Sequence, residues 1–110
     1  LHLDCCLASP RPGLAIICRE GFVDGLPDCL SGWDRLDVSA ADAKEKLGCN
    51  GLFIDVKTIM IASGLDDLAQ GLRDDGQDVI ETPFDAVYQQ AGAFRCWHHP
   101  LARASSLPPE

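Results

Sequence analysis

The sequence predicts an α/β fold of the α+β kind, built from about two ββαβ modules and one further strand. The order strand–strand–helix–strand occurs twice, with Leu3 and Phe53 at matching places. The second copy contains the clearest helical stripe of the chain, with apolar residues at i, i+3, i+4 and i+7: Leu65, Leu68, Ala69 and Leu72. Because a repeat of about fifty residues is typical of arrayed modules, we expect the two copies to form part of an array.

The first module is predicted from its alternation of apolar runs and turn residues. Two extended runs between Leu3 and Cys18 flank the turn-forming sequence Ser-Pro-Arg-Pro-Gly. Residues Phe22 to Leu30 predict a short helix, limited by a glycine and a proline within it. Trp33 to Val38 predicts the third strand. Ser39 to Gly48 then predicts a short helical link that begins with the spacing of a capping box.

The second module follows the same order. Residues 52–54 and 59–61 predict two strands around a turn, and the apolar stripe predicts a helix from Leu65 to Asp75. Gly76 stands where a helix C-cap glycine belongs, and Val79-Ile80 predicts the last strand of the module. Phe94 to Leu101 predicts the first strand of a third, incomplete module. We expect one domain over residues 1–103 and a frayed tail over 104–110.

Composition excludes several classes of protein. The 110 residues allow one modest domain, and a hydrophobic content of 46% is too high for a disordered chain. A net charge of −8 argues against a nucleic-acid groove, and no apolar run approaches the roughly 20 residues of a membrane helix. The spacing of the six cysteines suits free thiols in a reducing compartment, so we expect a cytoplasmic protein. The chain begins at Leu1 rather than Met, so we expect it to be processed or excerpted.

Cys96 and the pair formed by His2 and Asp4 make a nucleophilic site conceivable. An unperturbed thiol titrates near ~8.5, so a cysteine needs a nearby base or cation to act as a thiolate at neutral pH. Histidine is the usual base, and a carboxylate two residues along a strand lies on the same face as that histidine. The alternatives are a buried packing thiol for Cys96 and a turn or cap residue for Asp4. Cys96 with His98 and His99 could suggest a metal site, but adjacent histidines on a strand point to opposite faces, so we expect no metal.

Three motifs in register carry a resemblance to a known family. They are His2-Leu3-Asp4 with the Pro-Gly turn that follows, residues 48–52 (Gly-Cys-Asn-Gly-Leu) with the predicted hairpin, and residues 92–97 (Gly-Ala-Phe-Arg-Cys-Trp) with Arg103. In order and spacing the chain resembles the C-terminal part of the glycine and inosamine amidinotransferases, which belong to the guanidino-group-modifying enzymes. The family fold is a pentein-type propeller, a five-fold pseudosymmetric array of ββαβ modules, which agrees with the repeat described above.

The resemblance implies specific roles for five residues. Cys96 would attack the guanidinium carbon of arginine or a related donor and form a covalent amidino-cysteine, while His2 would move protons for the departing and incoming amines. Asp4 would hold guanidinium nitrogens by charge-assisted hydrogen bonds. Asn50 would contact substrate, with a strand-edge residue as the alternative, and Arg19 would be an offset counterpart of the arginine that anchors a donor carboxylate. The implied partners are a guanidino donor and an amine acceptor, with no metal or organic cofactor.

The chain also departs from the family pattern. The family enzymes are several times longer, and their first modules supply further carboxylates. The usual glycine pair before the nucleophile is Gly92-Ala93 here, and the residue before the cysteine, often His in the relatives, is Arg95. We therefore expect the isolated chain to be weak or inactive. Missing N-terminal modules or homo-oligomerisation would cover its exposed module faces and strand edges.

Two other functions stay open at this level. One is a hydrolase of the same superfamily, of the arginine deiminase or dimethylarginine hydrolase type, with water as the acceptor. The other is a non-catalytic remnant or assembly module that keeps the fold but lacks a complete site. The run Phe94-Arg95-Cys96-Trp97 favours the transferases.

Overall fold

Two small three-stranded sheets organise the part of the chain that the computed structural model describes, which is residues 2–102, Ala104 and Ser106. In each sheet the first two strands are antiparallel and the third is parallel to the second. The predicted order strand–strand–helix–strand is therefore confirmed in the second module, and in the first module the order of the strands is confirmed without the helix. Arg103, at which the predicted domain was to end, and most of the predicted tail lie outside the described residues.

The first sheet contains β1 (Leu7–Arg11), β2 (Leu14–Ile17) and β3 (Asp34–Asp37), with β2 in the centre. All four residues of β2 are buried, because a hydrophobic cluster covers each face of this strand. The turn between β1 and β2 contains Gly13 at φ +82°, a conformation that residues with a side chain rarely adopt. These strands confirm the predicted extended runs around the Pro-Gly turn.

Two predictions for the first module were wrong. Leu3–Cys5 forms a 3₁₀ turn ahead of β1, so His2 and Asp4 are not on a strand. The helix predicted over residues 22–30 does not form: irregular backbone follows the 3₁₀ turn Arg19–Gly21, and a second 3₁₀ turn, Asp28–Leu30, ends the segment. The glycine and proline inside this segment explain the outcome, since both disfavour a continuous helix.

The predicted helical link is α1 (Ala40–Glu45). Ser39 is its N-cap, and its hydroxyl oxygen accepts a hydrogen bond from the Asp42 backbone N–H at 3.0 Å. This bond satisfies one of the N–H groups that the first turn of a helix leaves unpaired, so the cap predicted from the sequence is confirmed.

The second sheet contains β4 (Leu52–Phe53), β5 (Thr58–Ala62) and β6 (Asp78–Thr82), and α2 (Asp66–Asp74) connects β5 to β6. The predicted stripe faces the core, since Leu65, Leu68, Ala69 and Leu72 are all at most 5% exposed. Gly76 follows the helix at φ +89° and its N–H donates to the Arg73 carbonyl, as expected of a glycine at a helix C-terminus.

The two modules share one hydrophobic core, and contacts at Leu36 and Arg11 are among those that join them. Leu36 of β3 packs on α2 at Gly71, where a Cβ atom would come within 2.7 Å of the Leu36 side chain. Arg11, at the end of β1, donates two hydrogen bonds to the carboxylate of Asp75, which follows α2. The distances are 2.9 Å from Nε to one oxygen and 2.5 Å from Nη2 to the other. This hydrogen-bonded pair lowers the pKa of the Asp75 carboxyl.

The third-module strand predicted over Phe94 to Leu101 was also wrong. After α3 (Asp85–Tyr88), residues 94–96 form a turn in which the Cys96 N–H donates to the Ala93 carbonyl at 3.0 Å, and residues 98–100 are irregular. In the described residues this segment has no neighbouring strand to pair with. Its backbone therefore forms a local turn bond at Cys96, and the Arg95 N–H donates to the Asn50 side chain. None of the described helices is long and apolar enough to cross a membrane.

Candidate active site

Cys96 lies on a turn in which a neighbouring aromatic side chain, Phe94, packs into the core. Phe94 is 2% exposed and stacks on Phe84, with ring centroids 4.2 Å apart. The Cys96 side chain itself is exposed, so the alternative of a buried packing thiol was wrong. Gly92 leaves room beside it, because a Cβ atom at that position would lie 3.3 Å from the Cys96 Cβ. The turn thus exposes a thiol to solvent above a buried, stacked aromatic pair.

Asn50 holds the Cys96 turn in place from inside the core. It is 1% exposed and lies between α1 and β4. Its Oδ1 accepts a hydrogen bond from the Arg95 backbone N–H at 2.8 Å, and its Nδ2 donates to the Cys96 sulfur at 3.3 Å. A fixed N–H donor stabilises the charge of a thiolate more than it stabilises a neutral thiol. The arrangement can therefore favour a nucleophilic sulfur, and the predicted contact of Asn50 with substrate stays a prediction.

Asp4 and Arg95 bring the two ends of the described chain together. The Arg95 Nε lies 3.9 Å from Asp4 Oδ2, with side-chain exposures of 45% and 24%. The other oxygen, Asp4 Oδ1, is buried and has no hydrogen-bond partner among the described residues. Because Oδ1 is inaccessible to solvent, a ligand would reach this carboxylate through Oδ2, the oxygen that faces Arg95.

A pocket of about 140 Å³ lies beside this pair. It is lined by Asp4, Arg95, His98 and His99 on its polar side and by Leu52 and Phe53 on its apolar side. A carboxylate beside flat apolar surface is a reasonable environment for a planar organic cation. Leu52 and Phe53 belong to β4, which follows Asn50 in the chain, so the residues that orient Cys96 and those that line the pocket are close neighbours.

His2 lies at the same end of the molecule. Its side chain is exposed, and together with Asp4 and Arg95 it lines an open concavity of about 470 Å³. His98 is differently engaged, because its Nδ1–H donates to the Phe94 carbonyl. Within the described residues, no group of three or more His, Cys, Asp or Glu side chains is arranged to hold a metal ion.

Arg19, predicted to bind substrate, lies in the 3₁₀ turn after β2. Its Nε donates to the Asp37 carboxylate at 2.9 Å, and both side chains are more than half exposed. It lines neither the pocket nor the concavity around Asp4. Arg95 is instead the arginine at this site. Sequence reasoning noticed it only as a departure from the family pattern, and its position next to Cys96 was the available signal.

The remaining cysteines differ from Cys96 in environment. All six are free thiols. Burial raises the pKa of the Cys49 thiol to about 12 and raises the pKa values of Cys6 and Cys18. These three side chains therefore stay protonated at neutral pH. Cys29 is exposed, as Cys96 is, which makes it a natural comparison for reactivity.

The chain shares sequence with one protein that carries no assigned activity. It is 32% identical over 104 residues to the uncharacterized protein YkgA of Bacillus subtilis (strain 168), an alignment that covers 94% of the chain and 36% of YkgA. The chain therefore spans about a third of the length of this relative. No family model matches it.

The fold is shared with two amidinotransferases of known structure. SxtG, an amidinotransferase from Microseira wollei in the saxitoxin biosynthetic pathway, matches 99% of the chain at a TM-score of 0.78 and 24% identity. The inosamine-phosphate amidinotransferase StrB1 from Streptomyces griseus matches 97% of the chain at a TM-score of 0.76 and 18% identity. The matched regions are 35% and 34% of those two proteins. The fold of this chain is thus the pentein fold of the amidinotransferases, over about a third of their length.

Proposed function

We propose that this chain carries the nucleophile and part of the guanidinium-binding site of an amidinotransferase-like enzyme. The observation that carries the proposal is the hydrogen bond from the buried Asn50 amide to the exposed Cys96 sulfur. This hydrogen bond distinguishes Cys96 from Cys29. Cys96 also directly follows Arg95, the arginine that faces Asp4. The shared fold with SxtG and StrB1 supports a related activity.

The first half of the reaction transfers the amidino group to the protein. The Cys96 thiolate attacks the central carbon of a guanidinium that is held by Asp4, and a C–S bond forms. The bond from that carbon to the substituted nitrogen then breaks. His2 donates a proton to the departing amine, and an S-amidino cysteine remains. Asp4 holds the planar group at its edge while the sulfur approaches its face.

The second half returns the thiolate. An incoming amine attacks the amidino carbon, and His2, now neutral, accepts a proton from its nitrogen. The C–S bond breaks, and the Cys96 sulfur keeps the bonding electrons as a thiolate that accepts the hydrogen bond from the Asn50 amide. A new guanidinium is the product. In the hydrolase alternative the bond to a different nitrogen breaks in the first half, so that ammonia or a methylated amine leaves and the substrate chain stays on the amidino-cysteine. Water then attacks that carbon, the C–S bond breaks, and a ureido product is released.

We expect slow turnover from the isolated chain. The guanidinium would be held mainly by Asp4, whereas the family resemblance implies additional carboxylates. Each lost charge-assisted hydrogen bond costs about 1.5–3 kcal/mol, so two losses would weaken binding about a hundredfold or more. Full activity would then require further modules, supplied by a longer protein or by a second chain.

The test is to trap the covalent intermediate. The chain is incubated with millimolar arginine and without an acceptor amine, and intact-protein and peptide mass spectrometry then locate any added amidino group. Glycine or hydroxylamine is added next, and ornithine and the new guanidino product are followed. We expect the adduct on Cys96 in the wild type and in Cys29→Ser, and its absence in Cys96→Ser. Ornithine release that does not depend on Cys96, or the absence of any adduct, would contradict the proposal.

A further inference from the structure

We propose that Arg95 is an internal competitor for the Asp4 carboxylate and thereby limits the affinity of this site for cationic ligands. The inference rests on the proposed function, because it takes Asp4 as the group that recognises a guanidinium. It assigns to Arg95 a part in specificity that the sequence did not suggest.

The geometry places one cation where a second would have to bind. Arg95 carries its own guanidinium, and its Nε faces Asp4 Oδ2 at 3.9 Å. Asp4 Oδ1 is buried, so Oδ2 is the oxygen that a ligand would contact. A ligand that contacts Oδ2 from the pocket would lie beside Arg95, which lines the same pocket.

The pair is weak enough to be displaced. Its separation exceeds hydrogen-bond distance, and the Arg95 side chain is 45% exposed, so water screens the attraction strongly. A cationic ligand gains contact with Asp4 but meets the positive charge of Arg95 at close range. Neutral ligands of the same shape do not meet this repulsion. Arg95 should therefore discriminate against positive charge in particular.

Other charged groups around the site do not remove this effect. His98 and His99 line the same pocket, and His2 shares the adjoining concavity with Asp4 and Arg95. No second carboxylate lines either space among the described residues. Removal of the Arg95 charge would thus leave the Asp4 carboxylate without its arginine partner.

Two alkylating reagents of nearly equal size separate charge recognition from thiol reactivity. Chloroacetamidine is a planar cation and chloroacetamide is its neutral counterpart. In both reactions the Cys96 sulfur bonds to the methylene carbon, the C–Cl bond breaks and chloride leaves with its electron pair. Peptide mass spectrometry gives the rate at Cys96 for each reagent. The ratio of the cationic rate to the neutral rate cancels any change in the intrinsic reactivity of the sulfur.

We expect Arg95→Gln to raise this ratio about three- to tenfold at low ionic strength, the range for a charge pair in a mostly aqueous setting. Arg95→Lys, which retains the positive charge, should stay near the wild-type ratio. Arg73→Gln is the matched control, because Arg73 pairs with Glu81 on the second sheet and should leave the ratio unchanged. An unchanged or lower ratio in Arg95→Gln would overturn the inference.

Asp4→Asn makes the two proposals distinguishable. If the ratio falls in Asp4→Asn but does not rise in Arg95→Gln, cation recognition by Asp4 stands and the competitor role of Arg95 fails. If Asp4→Asn matches the wild type, Asp4 does not recognise cations. The proposed guanidinium site is then refuted, and the role of Arg95 is refuted with it.

Discussion

Asn50→Asp is the substitution that most directly tests the site around Cys96. It keeps the size of the side chain and an oxygen that can accept the Arg95 N–H, which lies 2.8 Å away in the wild type. It replaces the Nδ2 donor, 3.3 Å from the Cys96 sulfur, by a carboxylate oxygen. The turn can keep its anchor while the sulfur loses its donor and gains a negative neighbour.

The magnitude follows from that distance. Two unit negative charges 3.3 Å apart repel by about 1.3 kcal/mol even at the dielectric constant of water. Loss of the hydrogen bond adds about 0.5–1.5 kcal/mol. Together these effects, about 1.8–2.8 kcal/mol, slow the alkylation of Cys96 by about twenty- to a hundredfold, because each 1.36 kcal/mol corresponds to a factor of ten.

The assay is alkylation by iodoacetamide under pseudo-first-order conditions, with Cys96 separated from the other cysteines by peptide mass spectrometry. Cys29 serves as the internal reference, since it is exposed and is not a partner of Asn50. Gln77→Ala is the matched control: Gln77 is another buried amide, 9% exposed, and its loss should reduce stability without slowing Cys96. If Asn50→Asp alkylates at the wild-type rate in a folded protein, the proposed role of Asn50 is wrong.

Three further predictions concern the scaffold. Arg11→Met should lower the denaturation midpoint at neutral pH. Arg11 depresses the pKa of Asp75 in the folded protein, so the stabilisation by this pair is present above about pH 4. The difference in stability between the two proteins should vanish as the pH falls below the pKa of Asp75 in the folded protein. A difference between the two proteins that stays the same from neutral pH to the acid end of the titration would contradict this. Leu72→Ala should cost about 2–5 kcal/mol in urea denaturation because Leu72 is fully buried, whereas Val23→Ala, at a side chain 99% exposed, should change little. Ser39→Ala should cost about 1 kcal/mol through loss of the α1 cap, and an equal stability would show that the cap is dispensable.

Local patterns predicted the regular elements well where one face of the segment is buried. The apolar stripe of α2 and the Ser39 cap could be predicted because both depend on the spacing of residues within a short segment. The strands around the Pro-Gly turn could also be predicted, because their apolar runs and the turn residues are local patterns. Where a segment depends on a distant partner, the prediction was wrong. Phe94 to Leu101 has apolar residues suited to a strand, but an isolated strand has no hydrogen-bond partner, and the described backbone closes into a turn instead.

For the site, the sequence by itself determined the chemical inventory: a thiol at Cys96, a histidine and a carboxylate near the other end, and the repeat that carries them. Only the tertiary structure decided which groups meet. It packs Asn50 beneath the Cys96 sulfur, sets Arg95 against Asp4, and leaves Arg19 paired with Asp37. The physical reason is that these contacts join residues 18 or more positions apart in the chain. Their geometry follows from how the two modules pack on a shared core, which no local periodicity records.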